Sequence, residues 1–580
     1  MYLNFLVKIP EVKGKITYRK KDDLCYVYYE YDRIYDPQRK FTNVKRAMIG
    51  KQSKAELLMM QPNQNYLKFF PEAELPEEKD RTLRSSCLRA GTYIVLQKLI
   101  RDSGIPGILS QYFNEKDMGL FLDLAAYSII TESNVAQYYP DYAYNHALFT
   151  QDMRIYSDSK VSDFFRNITD DQSVGFLNSW NELKDHREKI YLSYDSTNKN
   201  CQAGDIEMLE YGKAKVDQGS PIFNYSIAYD TRNKEPLFYE AYPGSINDVS
   251  QLQFMLDKAK GYGYKKIGFI LDRGYFSKGN IEYMDHCGYS FVIMVKGMAS
   301  LVNQLILENK GTFEKKRINN ISEYRVYGIT VKRKLYITDE KERYFHIYHS
   351  IEKESAERNI LENRIDEMTK FMKRHANEIR DFGSGFERYF ELYYDDAKKT
   401  FLFPVEKAGV IESEIDLCGY FCIITSEKMT AKEAINLYKS RDVSEKLFRA
   451  DKSYLGNKSL RVFSDESASA KIFIEFIALI IRSKIYTSLK EEMKNLDKRP
   501  NYMTVPAAIK ELEKIEMVRQ LDNVYRLDHA VTAAQKTILK AFGADVAYVK
   551  YKANEISEAI RKAGNQEKER TIESWQEQLD

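Results

Sequence analysis

The chain has 580 residues, of which 43% are hydrophobic and 30% charged, and its formal net charge is +3. A chain of this length needs more than one hydrophobic core, and this composition excludes an intrinsically disordered protein. The most apolar run, residues 472–481, is about half as long as a membrane span and contains Glu475, so it predicts a buried helix. The six cysteines lack the spacing of metal ligands, which favours a reduced intracellular protein.

The N-terminal region, residues 1–90, predicts strands and carries an uneven charge. Residues 25–31 are dense in tyrosine and valine, which suit a pleated sheet, and Asp36-Pro37 marks a turn. Residues 1–54 contain 13 lysines and arginines against 6 aspartates and glutamates. Such a segment is typical of contact with nucleic acid, although a solvated lysine-rich surface explains the charge equally well. Residues 91–185 then show apolar residues at helical spacing and predict a helical region.

Residues 186–295 predict alternating strands and helices. Strands are expected at 189–195, 223–229, 236–242, 266–271 and 290–295, and helices at 249–261 and 277–286. The first of these strands ends at Asp195, and the fourth, which is nearly all apolar, ends at Asp272. Strand, strand, strand, helix, strand, helix, strand is the order of the RNase H-like fold.

Residues 296–418 interrupt this pattern. Strand candidates at 324–337 and 344–349, followed by a charged helix at 353–375, predict a β-rich insertion. The core resumes in residues 419–485 with a strand at 419–425 and a helix from Thr430, and residues 486–580 predict a helical C-terminal region. The expected fold is therefore α/β: an RNase H-like core interrupted by a β-rich insertion, with an N-terminal β/helical region and a helical C-terminal region.

Two strand-end aspartates are candidates for metal-dependent chemistry. Phosphodiester cleavage without a protein nucleophile uses two divalent cations about 3.5–4 Å apart, and magnesium prefers carboxylate oxygens. Asp195 and Asp272 end strands that we expect to be neighbours, at the edge where ligand-facing residues gather. Arg273 next to Asp272 is placed to reach a phosphate, and Tyr275 or Phe276 to stack on an unpaired base. Taken alone, each aspartate is more often a turn or helix cap.

A third acid comes from the helix that contains Tyr438. Tyr438, Arg441, Glu445 and Lys452 follow one another at steps of three, four and seven, which places them within an arc of roughly 60° on one helix face. One face thus presents a phenol, two cations and a carboxylate. An exposed helix with a salt bridge between Arg441 and Glu445 is the competing interpretation.

The motif Tyr438-x2-Arg441-x3-Glu445-x6-Lys452 resembles the Y-R-E-K signature of bacterial insertion-sequence DDE transposases. Asp195-Ser-Thr and Asp272-Arg-Gly-Tyr match the two other motif regions of that group in the same order. The long interval between Asp272 and Glu445 also resembles the group, whose members carry a strand-rich insertion before the glutamate. The resemblance covers roughly residues 189–485.

The resemblance implies a function and a set of roles. Asp195, Asp272 and Glu445 would be the catalytic residues and would bind two Mg²⁺ (or Mn²⁺), while Tyr438, Arg441 and Lys452 would hold DNA phosphates. Family members cut DNA at terminal inverted repeats, often through a hairpin, and join the 3′ ends to target DNA in a complex of two subunits. We therefore expect DNA and a homodimer as partners, no membrane, and a cytoplasmic, nucleoid-associated location.

Two other functions stay open at this stage. An RNase H-like nuclease without strand transfer would need the three acids but not the contacts of Tyr438, Arg441 and Lys452 with the transposon end. The other is a transposase-derived protein that is kept only for DNA binding, although all three acids are present and nothing in the sequence suggests inactivation. Recognition of DNA ends is assigned to residues 1–90 because of their charge, and to the helical region 91–185, as hypotheses.

Overall fold

The computed structural model describes residues 6–21, 24–37, 40–52, 57–73, 84–186, 188–201, 203, 206–212, 219–246, 248–295, 299–395, 397–442, 446, 455, 459–520 and 524–577. These residues divide into two compact units. The first comprises residues 1–89, 516–530 and 550–580, and the second comprises residues 90–515 and 531–549.

The strands of the described residues are β1 (Val7–Lys8), β2 (Ile16–Lys21), β3 (Leu24–Asp36), β4 (Phe41–Gln52), β5 (Met59–Pro62), β6 (Cys87–Arg89), β7 (Ile190–Asn200), β8 (Ile222–Asp230), β9 (Glu235–Pro243), β10 (Ile267–Leu271), β11 (Ser290–Met294), β12 (Asn320–Ile321), β13 (Val326–Lys334), β14 (Glu342–His349), β15 (Phe390–Tyr394), β16 (Phe401–Glu406), β17 (Tyr420–Thr425), β18 (Glu516–Arg519) and β19 (Tyr525–Leu527).

The α-helices are α1 (Gln64–Phe69), α2 (Gly91–Asp102), α3 (Ile105–Leu109), α4 (Glu115–Thr131), α5 (Tyr139–Asn145), α6 (Asp158–Asn167), α7 (Asp170–Glu182), α8 (Asp248–Gly261), α9 (Lys278–His286), α10 (Ala299–Asn309), α11 (Ile351–Arg374), α12 (Ser384–Glu387), α13 (Ala408–Ile415), α14 (Ala431–Lys439), α15 (Asp465–Glu492), α16 (Val505–Leu512), α17 (Ala533–Ala541) and α18 (Val546–Glu577). None of these helices is long and apolar enough to cross a membrane.

The first unit contains a five-stranded antiparallel sheet in the order β1-β5-β4-β3-β2. One face of the sheet packs on α1, with Val27, Ile49, Met60 and Tyr66 buried between them. The Asn63 side chain caps α1 by accepting the backbone N–H groups of its first turn. A second sheet, β19-β18-β6, joins the start of this region to the C-terminal part of the chain, where the sequence predicts mainly helix.

The second unit is built on a nine-stranded sheet in the order β12-β13-β14-β17-β11-β10-β7-β8-β9. β10 runs parallel to both β7 and β11, and the other neighbours are antiparallel. Every residue of β8 and of β10 is buried, because both strands are covered on two faces. The long helix α15 is buried through most of its length and packs against α4, α6 and β9.

Strands from the predicted insertion, residues 296–418, belong partly to this sheet. β14 pairs with β17 along six residues, so β12, β13 and β14 extend the sheet beyond β17. The β15–β16 hairpin instead packs with α11 around a separate cluster that includes Leu361, Ile365 and Phe401. The domain boundaries given above stay predictions.

Candidate active site

The strand register places the two aspartate positions side by side. β7 and β10 are parallel neighbours in which Tyr194 lies opposite Leu271. Asp195 and Asp272 are the next residues on the two strands, and Asp272 directly follows the end of β10, as the sequence predicts. The two strands therefore bring the first and second motif regions together at one edge.

The prediction that the first strand ends at Asp195 is wrong. β7 continues to Asn200, and residues 195–200 pair with residues 222–227 of β8. Ser196, Thr197, Asn198 and Lys199 are polar but almost fully buried. A polar stretch remains in a strand here because β8 supplies backbone hydrogen bonds along its whole length.

Two arginines contact the second aspartate. The backbone N–H of Arg273 donates to Asp272 Oδ1 at 2.7 Å, and Arg441 Nη1 lies 3.3 Å from the same oxygen. The Asp272 side chain is 39% exposed, whereas the Arg441 side chain is 12% exposed. The Arg273 side chain points into solvent. A half-exposed carboxylate thus contacts one nearly buried guanidinium, that of Arg441.

Tyr438 and Arg441 do not share one uninterrupted helix, contrary to the sequence prediction. α14 ends at Lys439, where the Ser440 hydroxyl donates to the Leu437 carbonyl at 2.6 Å. Tyr438 is buried in a core cluster with Ile435 and Ile423, and the Arg441 guanidinium lies 5.4 Å from the centroid of its ring. Its ring thus supports Arg441, and its role toward a phosphate stays a prediction. Glu445 and Lys452 lie outside the described residues.

A buried hydroxyl pair links the two motif regions, and the sequence analysis missed it. Tyr275, in the turn after Asp272, donates from its hydroxyl to Ser196 Oγ at 2.8 Å. Its ring packs on that of Tyr194, with the centroids 5.2 Å apart, and the Asn280 amide holds its carbonyl at 3.0 Å. Tyr275 is 4% exposed, so the expectation that it stacks on an unpaired base is wrong. The Asp-Arg-Gly-Tyr run carried the only sequence signal for this contact.

A buried ion pair fastens the same strand to α15. Lys199 Nζ lies 3.1 Å from Glu475 Oε2, and neither side chain is more than 2% exposed. The Asn134 amide donates to the other carboxylate oxygen of Glu475 at 3.3 Å. Lys471, one helical turn before Glu475, is also buried, and this burial lowers its pKa to about 8 even though the Glu475 charge opposes the shift. Strand β7 is therefore fixed to the helix by charge as well as by packing.

The Asp272 carboxylate fits magnesium or manganese, which prefer hard oxygen ligands. Among the described residues, the contacts of Asp272 with the Arg273 N–H and with Arg441 both go to Oδ1. Within the same described ranges no three histidine, cysteine or acidic side chains converge. The predicted triad is not tested by that result, because Glu445 lies outside these ranges.

A family model for the transposase DDE domain matches residues 192–481, half of the chain, and this segment contains Asp195, Asp272 and Glu445. No curated protein matches. Among solved structures, the chain is similar to the piggyBac transposase in a cryo-EM structure of its synaptic complex with hairpin DNA. The two chains are 8% identical, the match covers 82% of this chain and 86% of that chain, and the TM-score is 0.35. That similarity is too low to support the assignment, which rests on the family match. The resemblance to DDE transposases is confirmed, while the Y-R-E-K group stays a prediction. The chain belongs to the transposase DDE domain family.

Proposed function

We propose that this chain is an insertion-sequence transposase that cuts DNA at terminal inverted repeats and joins the freed 3′ ends to target DNA. The observation that carries the proposal is the juxtaposition of Asp195 and Asp272 on neighbouring parallel strands, with Arg441 at the second aspartate. An acid pair would hold divalent cations, and these together with a phosphate-binding arginine suit the polyanionic substrate of such a reaction.

The strand order supports an RNase H-like core. β9, β8, β7, β10 and β11 are consecutive in the sheet, with β8 antiparallel to its neighbours and β7, β10 and β11 parallel. In this proposal residues 186–295 and 419–485 form the core, and residues 296–418 are a β-rich insertion between them. The helix with Glu445 would then return to the edge that carries the two aspartates.

Each site residue receives one role. Asp195, Asp272 and Glu445 hold two Mg²⁺ (or Mn²⁺), and when bound there these ions activate a water and stabilise the leaving oxygen. Arg441 binds a phosphate bidentately, and its nearly buried stem and the Tyr438 ring beneath it keep its guanidinium in place. The exposed Arg273 and Lys452 add phosphate contacts. A homodimer would hold the two transposon ends together.

The test is cleavage of DNA that carries the terminal inverted repeats of the element itself, with the purified protein and Mg²⁺. Asp272→Asn and Glu445→Gln should each abolish cleavage and leave binding of the ends largely intact. Glu282→Gln is the control, since it removes an exposed acid on α9 and should cut like the wild type. If Asp272→Asn cut at the normal rate, the assignment of the active site would be wrong.

A second measurement separates transposition from the alternatives. The cut ends are incubated with supercoiled target DNA, and joined products are resolved on a gel. Joined products support strand transfer. Cut ends without joined products indicate a nuclease, and end binding without cleavage indicates a protein that has kept only DNA binding.

A further inference from the structure

The five-stranded sheet of the first unit has one face that its core does not use. Val27, Gly50 and Pro62 are aligned across β3, β4 and β5 and lie on the face that packs on α1. A bulge in β4 at Ile49 and Gly50 keeps both residues on that side of the sheet. The residues next to them in each strand therefore point to the opposite, outer face.

A single cross-strand row runs over this outer face. Arg19 pairs with Tyr26, Tyr26 pairs with Lys51, and Lys51 pairs with Gln61, so four side chains from four adjacent strands line up. We call this set the cation–tyrosine row. Neighbouring strands are about 4.8 Å apart, so Arg19 and Lys51 are anchored about 10 Å apart on the two sides of the Tyr26 ring. All four side chains are exposed or partly exposed.

The surroundings of the row are aromatic and basic. Tyr28, in the next row, is partly exposed, and the Arg19 guanidinium lies 5.3 Å from the centroid of its ring. Lys21 lies on the same face of β2 and is exposed. Among the described residues of these strands, the carboxylate on this face is that of Glu30, which is buried under arginines, with Arg33 at 2.7 Å and Arg46 at 2.6 Å. Its charge is therefore more than balanced.

We infer that the cation–tyrosine row binds a DNA strand, with Arg19 and Lys51 on its phosphates and the Tyr26 ring against a base or sugar between them. Flat aromatic rings flanked by cations are what strand binding needs, because every base has a face that can stack and every phosphate is charged. The inference rests on the proposed function, since it takes the DNA to be that of the transposon ends.

The test is fluorescence anisotropy of the full chain with a labelled 20-nucleotide single strand and a duplex of the same length, in EDTA so that no cleavage occurs. The variant that lacks both cations, R19Q/K51Q, should weaken binding and lower the slope of log affinity against log salt by about 1.4 on a single strand or about 1.8 on a duplex. Tyr26→Ala should weaken single-strand binding at least about fivefold, and Tyr26→Phe should not.

Lys20→Gln is the matched control. Lys20 is an exposed lysine of the same strand as Arg19, but it pairs with Cys25 and lies on the other face of the sheet. Its removal should change the salt slope by less than half of the change that the double variant gives. Equal effects of Lys20→Gln and of either single cation variant would overturn the inference, because the charge of the unit and not the row would then bind DNA. Wild-type affinity in both R19Q/K51Q and Tyr26→Ala would overturn it as well.

Results that contradict the proposed function differ from results that contradict DNA binding by the cation–tyrosine row. A wild-type protein that binds these DNAs through the row but cuts no end DNA in Mg²⁺ would contradict the proposed function alone. An R19Q/K51Q variant that cuts end DNA at the wild-type rate when the DNA is saturating, with a raised half-saturating concentration, is the result expected when both hold. The melting temperature of each variant, measured in parallel, shows that the sheet is folded.

Discussion

Glu475→Gln should strongly destabilise the second unit, because it removes the anion of a buried charge cluster. We call this unit, which contains the candidate active site, the catalytic unit. Glutamine has the same shape, so no cavity forms and the Asn134 contact is kept in part. What remains is Lys199, which is fully buried, and Lys471, which is 3% exposed, with no carboxylate between them. Removal of one partner of a buried ion pair costs about 3–5 kcal/mol. We expect a loss of this size in the free energy of unfolding at pH 6.

The loss should shrink as the pH rises. Burial, opposed by the charge of Glu475, lowers the pKa of Lys471 from 10.5 to about 8. Below about pH 8 both the folded and the unfolded chain carry this proton, so the full cost of burying the cation is present. Between about pH 8 and 10.5 the unfolded chain binds more protons, and the free energy of unfolding rises with pH. Without Glu475 the pKa of Lys471 falls further and this rise begins at a lower pH, so the difference between wild type and variant narrows as the pH rises, and the loss of the Lys199 pair remains.

The assay is urea unfolding at pH 6 and pH 9, followed by the fluorescence of Trp180. Trp180 is 1% exposed within the catalytic unit, and Trp575→Phe removes the other tryptophan of the chain. Glu491→Gln is the control, since it breaks an exposed pair with Lys234 near the end of the same helix and should cost less than about 1 kcal/mol. A loss below about 1 kcal/mol for Glu475→Gln at pH 6, or a loss that grows toward pH 9, would refute the reasoning.

Three further changes test the site. Arg441→Gln removes the cation that contacts Asp272. It should tighten Mn²⁺ binding to the DNA-free protein about two- to tenfold in calorimetry and lower end cleavage. Weaker Mn²⁺ binding would mean that the arginine does not compete with the metal. Tyr275→Phe removes the hydroxyl that donates to Ser196. It should lower the free energy of unfolding in urea by about 1–2 kcal/mol and raise the Mg²⁺ concentration needed for half-maximal cleavage. No change in either quantity would show that this hydrogen bond does not position the site. Gly268→Ala places a Cβ 2.4 Å from the ring of the tyrosine opposite it on β7 and should cost about 1–3 kcal/mol in the same assay. An unchanged free energy of unfolding would contradict this, because it would mean that the ring is free to move aside.

The sequence predicts best where one strand or helix is decided by its own residues. The apolar run before Asp272 became β10, buried on both faces, and Thr430 became the cap of α14 through a reciprocal contact with Glu433. Both signals are local: hydrophobicity in the first case, and hydroxyl and carboxylate at capping spacing in the second.

The sequence predicts worst where a partner far away in the chain determines the secondary structure. The polar residues after Asp195 stay in β7 because β8 pairs with them, and no feature of residues 196–200 themselves shows this. The helix with Tyr438 ends without glycine or proline, so the helical spacing of the sequence continues past Lys439, where the helix ends and the Ser440 hydroxyl donates to the Leu437 carbonyl. Strands β12, β13 and β14 of the predicted insertion belong to the main sheet because β14 pairs with β17, more than 70 residues later in the chain.

That last pairing has a consequence for synthesis of the protein on the ribosome. β11 is completed at Met294, but its neighbour β17 begins at Tyr420, roughly 125 residues later. At about 5–20 residues per second the nascent chain carries β11 with one unpaired side for some 6–25 seconds. During that interval the unpaired backbone groups of this apolar strand are able to form hydrogen bonds with a wrong strand. We therefore expect chaperones to bind this nascent chain most while residues 295–420 emerge from the ribosome.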